Sequence, residues 1–295
     1  VTRLRLAAPA LAAFALALLG APLACVGTTG GEKFDFDAAI GGVERDAEAP
    51  YAFTNEYGWT VTLTQAYVTV GPLYLNTISP LGGVARWMRL LPVREARAHS
   101  AHLGEGRIVG EVLGRVRFDA LSPSLVPFPA RGVISTDEVR SAEVWFFPPA
   151  DVPPETTKIS GAAVEVAGEA VREQERVRFR GKLILNDDWL PNAKPGDRDN
   201  TPITAIRQVR GIPARFLPSP GGRLEIRVAL APLFASADFS NLEQNPPDLE
   251  DPQARALVQS KTGKYTTDQV MRVMYQGLRA ASGTYAVTWR PDGPG

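Results

Sequence analysis

The chain has 295 residues, 32 Lys plus Arg against 32 Asp plus Glu, 44% hydrophobic residues and one cysteine. That charge balance argues against nucleic acid as a partner, which would call for a basic face. One cysteine excludes an intrachain disulfide, so stability must come from burial, and a chain this long can bury most of the surface its unfolded state exposes.

Arg3 and Arg5 precede an uncharged apolar run over residues 6–24, which ends in Leu23-Ala24-Cys25. A short positive region, an apolar stretch and small residues before a cysteine have the pattern of a secretory signal. Leu23-Ala24-Cys25 resembles the lipobox of bacterial lipoproteins, although Pro22 stands where that pattern has an aliphatic residue. The resemblance implies that Cys25 becomes the first residue of an exported chain and carries acyl chains. It divides the sequence into a signal peptide (1–24), a lipidated cysteine with a flexible tether (25–50), a folded domain (51–290) and a tail (291–295). Val26, in place of an aspartate, leans toward the outer membrane. Two alternatives stay open: cleavage near Ala21 or Ala24 releasing a soluble exported protein, and an uncleaved helix. Pro9 and Pro22 interrupt the latter in a run at the short end of the roughly 17–25 residues a span needs.

Residues 26–50 are rich in Gly, Asp and Glu, apart from Phe34 and Phe36, and read as a tether. From Tyr51 onward, short runs of Val, Thr, Tyr, Phe and Ile are cut by Gly and Pro, the pattern of many short strands. Over 59–70, alternation places Trp59, Val61 and Leu63, followed by Tyr67 and Thr69, on one face, with Thr60, Thr62 and Thr64 on the other. Further strands are expected within 73–75, 107–121, 143–147, 162–170, 175–185, 222–230 and 283–289. Residues 163–185 read as one hairpin whose second strand turns Arg176, Arg178 and Arg180 to water. Asp251-Pro252 has the form of a helix start with Gly263 as its end, and Thr266 with Gln269 has the spacing of a capping box. Val270, Val273, Met274 and Leu278 then share one helical face. Many strands and two short C-terminal helices predict a mainly β fold, an antiparallel β-sandwich with Greek-key-like connections, with a closed β-barrel as the alternative.

Candidate sites are few. His99 and His102, the two histidines of the chain, would meet on one side of a helical turn and could share copper or zinc if Glu95, Glu105, Asp119 or Met88 completed the set. The ordinary alternative is a polar loop. Asp187, Asp188, Asp197 and Asp199, with Asn186, Asn192 and Asn200, could fold around calcium, but no EF-hand glycine or closing glutamate is present, and turns use the same residues. Lys261-Thr262-Gly263 copies a triplet of penicillin-recognising enzymes without their Ser-x-x-Lys motif, and reads better as a helix end. Gly104, Gly106, Gly110 and Gly114 lack the strand-then-helix setting of a dinucleotide site and suit turns and bulges. Trp59, Trp87, Trp145, Trp189 and Trp289 with Tyr57 and Tyr74 could line a sugar-binding face, against the plainer reading that they are core.

The stretch from Gly58 through Gly71-Pro72-Leu73-Tyr74, the His99/His102 segment and Gly110-Glu111-Val112-Leu113-Gly114 resemble envelope lipoproteins of soil and predatory bacteria. Leu233-Phe234 before Asp238-Phe239-Ser240 is similar to periplasmic copper-associated β-sandwich proteins of the methanobactin-linked type. With no catalytic motif in the sequence, the reading is a non-enzymatic binding or scaffolding module, held to a membrane through Cys25, with an unidentified ligand or an envelope protein as partner. Periplasmic copper or zinc binding is the alternative.

Overall fold

The computed structural model describes residues 31–78, 107–146, 162–185, 204–258 and 269–291. The chain divides into residues 1–32 and residues 33–295, and the architecture below is that of the second unit. Its strands, in chain order, are β1 (Lys33–Gly42), β2 (Tyr51–Thr54), β3 (Thr60–Val70), β4 (Leu73–Asn76), β5 (Ile108–Val112), β6 (Val116–Asp119), β7 (Val126–Pro127), β8 (Gly132–Ser135), β9 (Val139–Trp145), β10 (Val164–Arg172), β11 (Glu175–Leu183), β12 (Gln208–Phe216), β13 (Arg223–Val228), β14 (Arg255–Leu257) and β15 (Tyr285–Arg290). One longer helix, α1 (Gln269–Leu278), lies between β14 and β15.

The fold is mainly β and has two sheets. A nine-stranded sheet runs in the order β12-β9-β4-β5-β8-β1-β13-β15, with β7 also on β1; a six-stranded sheet runs β14-β11-β10-β3-β2, with β6 also on β3. The end strands β12 and β15 of the larger sheet lie against each other, and Phe216 stacks on Trp289 across them with ring centroids 5.6 Å apart. The sheet is therefore nearly closed into a barrel. The chain passes between the two sheets at the cis Gly71-Pro72 bond, between β3 and β4. Most pairings are antiparallel as expected, but β1–β13 and β11–β14 are parallel, so the expectation of a wholly antiparallel arrangement is corrected.

The tether expected over 25–50 is also corrected for its later part. Residues 33–42 form a strand in the interior of the larger sheet, between β8 and β13. Phe34 and Phe36 alternate with Asp35 and Asp37, and Phe36 and Ile40 are fully buried. The glycines that suggested flexibility serve close approach instead. A Cβ on Gly42 would sit 2.2 Å from the carbonyl oxygen of Ala120, and one on Gly41 would sit 2.5 Å from that of Ser124.

Two further expectations fare differently. The hairpin forms as β10 and β11, paired from Val164↔Leu183 to Arg172↔Glu175. The helix expected to start at Asp251 does not, because residues 251–254 make a turn and Arg255–Leu257 pairs with β11 as β14. The α1 face does form, with Val270, Val273, Met274 and Leu278 buried. One buried apolar cluster draws on both sheets and on α1. Its aromatic part joins Phe179 to Phe239 (4.9 Å between centroids), Trp59 to Phe239 (5.7 Å) and Phe179 to Phe234 (5.9 Å). Among the described residues no helix is long and apolar enough to cross a membrane.

Candidate functional site

On the outer face of the smaller sheet, β3 and β10 pair with a break in register. Leu63 faces Gly168 and Gln65 faces Ala167, leaving Thr64 as an extra residue, a β-bulge. Because side chains alternate strictly along a strand, one extra residue reverses the phase. Trp59, Val61 and Leu63 face the core before the bulge, and Ala66, Val68 and Val70 face it afterwards. Tyr67 and Thr69, expected on the Trp59 face, lie on the opposite face, opposite Asp119 and Arg117 of β6. Gly168 permits the bulge: a Cβ there would meet the carbonyl oxygen of Thr62 at 2.4 Å.

At this bulge lies a half-open cleft of about 210 Å³ floored by Thr64, Ala167 and Gly168. Arg178 and Arg180 of β11 and Glu169 of β10 enter from the sheet, while Asp251 and Ala254 form the far wall. That wall is a small hairpin closed by a Pro247↔Arg255 bridge and by the Asp248 N–H donating to the Ala254 carbonyl at 2.8 Å. The side chains of Asp248 and Asp251 accept from the N–H groups two residues on, at 2.7 and 3.1 Å. Local acceptors of this kind hold a turn without a helix.

Charges are matched across the cleft. Arg178 reaches Asp251 at 3.1 Å and donates to the Gln253 side-chain oxygen. Arg180 pairs with Glu250 at 2.5 Å, and Arg176 with Glu169 at 3.3 Å. The arginine face expected to meet water is thus partly covered by acidic groups 70 or more residues later in the chain, a contact that no local sequence pattern signals. What betrayed the site in the sequence was the Arg176, Arg178, Arg180 alternation; the bulge gave no signal.

A second polar cluster is architectural. The Trp59 indole N–H donates to Asp238 at 3.2 Å, the Ser240 hydroxyl donates to the same carboxylate at 2.6 Å, and the Arg172 guanidinium covers the indole 4.4 Å from the ring centroid. Burial raises the Asp238 carboxyl, but hydrogen bonds from Ser240 and Trp59 and the charge of Arg172 outweigh it and hold it below its ordinary value. The group pins the β2–β3 turn to the segment between β13 and β14, where Asn55 donates to the carbonyls of Phe234 and Ala237 at 3.1 and 2.7 Å.

Cys25, His99 and His102, the calcium candidates Asp187, Asp188, Asp197 and Asp199, and the Lys261-Thr262-Gly263 triplet lie outside the described residues. So do Met88, Glu95, Glu105, Trp87 and Trp189. Asp119 is described, and its side chain accepts from the Leu121 N–H at 2.9 Å in an ordinary turn. Among the described residues no group of three or more His, Cys, Asp or Glu side chains is placed to hold a metal ion. Among the described residues the aromatic side chains do not form one face: Trp59 and Trp289 are core, Tyr57 is exposed, and Tyr74 packs edge-on against Trp145 on the larger sheet. Gly110 lies in β5, beside a register shift against β4, in keeping with a bulge rather than a nucleotide turn.

The fold and cleft together describe a mainly β protein with a small charge-lined depression on one sheet. No family model, curated protein or solved structure matches the chain.

Proposed function

We propose that the protein is a lipid-anchored, non-enzymatic binding module of the cell envelope, and that the cleft at the Thr64 bulge is where it takes a small polar ligand. The observation that carries the binding site is the convergence of Arg178, Arg180, Glu169 and the Thr64 residue on one depression at a break in the sheet. Bulges commonly re-aim side chains beside functional sites. At about 210 Å³ the cleft falls below the roughly 300–1,000 Å³ of sites for drug-sized ligands, which suits a compact molecule. The two sheets and their shared core suggest a sandwich-like scaffold, rigid enough to fix the donors before a ligand arrives. Acylation of Cys25 would hold that scaffold at a bilayer, with the outer membrane as the leaning location.

The test is chemical-shift mapping of the folded protein against a panel of small sugars, amino acids and organic acids. Shifts confined to Gly168, Glu169 and residues 178–180 are expected. A folded protein whose cleft signals no panel member moves would refute the site. Growth on labelled palmitate tests the anchor separately: label on the wild type and none on Cys25→Ser is the expected result.

A further inference from the structure

Resting on that reading of the cleft, we infer that its ligand carries one carboxylate together with several hydrogen-bond donors, that Arg180 selects it, and that Glu250 is an internal stand-in which the ligand displaces.

The two arginine pairs differ in how firmly they are held. Asp251 belongs to the turn: its side chain accepts from Gln253 N–H at 3.1 Å, its carbonyl from Ala254 N–H at 2.9 Å, and Arg178 is held by Gln253 as well. Releasing Asp251 would open the wall of the cleft. Glu250 serves that turn through its backbone N–H, which donates to Asp248; its side chain is 62% exposed and, among the described residues, pairs with Arg180, whose own side chain is 27% exposed. Leu249, beside it, is fully exposed. An ion pair this open contributes about 0.2–1 kcal/mol, so an incoming carboxylate can take the place of Glu250 at little net cost. A planar guanidinium suits that exchange, since it matches a carboxylate with paired N–H donors.

The rest of the lining sets the ligand's other groups. Glu169 and Asp251 supply carboxylate acceptors and Thr64 a hydroxyl, so two positive and two negative groups face one small space. A multiply charged anion such as phosphate would meet both carboxylates unfavourably. A molecule with one carboxylate and hydroxyl donors, such as a sugar acid, satisfies both sets of groups.

Titration calorimetry of the full chain in detergent with glucuronate, glucose and inorganic phosphate tests the assignment. Glucuronate is expected to bind more tightly than either of the others. Arg180→Gln should weaken it by tenfold or more, while Glu250→Gln should strengthen it about 1.4- to fivefold, the equivalent of the exposed pair it removes. Thermal melts of both variants confirm that each is folded. Glucose binding as tightly as glucuronate would overturn the carboxylate assignment and leave the cleft as a binding site. Glucuronate binding that neither variant changes would overturn the roles of Arg180 and Glu250. Failure of glucuronate to bind both the wild type and Glu250→Gln overturns the whole inference, whereas the cleft itself falls only with the broader panel.

Discussion

Deleting Thr64 should unfold the protein or leave it barely stable, although Thr64 is an exposed residue on the surface of the sheet. With the bulge gone, β3 alternates without a break, so only one of its halves can keep its present facing. If residues 59–63 stay in place, Ala66, Val68 and Val70 turn outward while Tyr67 and Thr69 turn in. Val68 and Val70 are at most 1% exposed; exposing two such side chains costs roughly 3–6 kcal/mol. The Tyr67 hydroxyl, forced inward without a partner, adds roughly 1–3 kcal/mol. If residues 66–70 stay instead, Trp59, Val61 and Leu63 are expelled, which is worse because the Trp59 indole packs on Phe239 and donates to Asp238. Either outcome is comparable with the roughly 5–15 kcal/mol that holds a typical domain folded. Urea unfolding followed by far-UV circular dichroism measures the loss. Thr64→Ala, which keeps the residue count, should stay within about 0.5 kcal/mol of wild type. A deletion variant with the wild-type midpoint would show that β3 is not locked in phase by this residue.

Asp238→Ala should cost about 1–3 kcal/mol by leaving the buried Trp59 indole N–H without its acceptor, read from the same urea curves. Because the Asp238 carboxyl is held low in the folded state, its contribution is present above the unfolded carboxylate range and is lost as pH falls through the folded value; the stability of Asp238→Asn should therefore decline less steeply below about pH 4. A chain beginning at residue 43 lacks the interior strand β1 and should be insoluble or unfolded, whereas one beginning at residue 31 should give a cooperative melt. Gly42→Val should destabilise strongly, since the added carbons run into the Ala120 carbonyl, a result checked by its melting temperature. Elemental analysis of protein refolded with copper or zinc tests the metal alternative: retained metal, lost in the His99→Ala/His102→Ala double variant, is the outcome that would favour it.

Local alternation determined much of this protein. The mainly β character, the β10–β11 hairpin, the outward arginines of β11 and the apolar face of α1 follow from spacing within a few residues, because a side chain's face is fixed by the repeat of its own backbone. The sequence also marked Phe34 and Phe36, but the surrounding charges and glycines masked a strand whose place depends on β8 and β13, distant in the chain. Pro213 and the register shifts against β9 similarly concealed β12, which tolerates them at the end of the sheet path. Only the tertiary structure decided the bulge at Thr64, the parallel seat of β14 and the meeting of Arg178 and Arg180 with Asp251 and Glu250. Each is a choice between pairings of nearly equal local energy, settled by which one buries the common core.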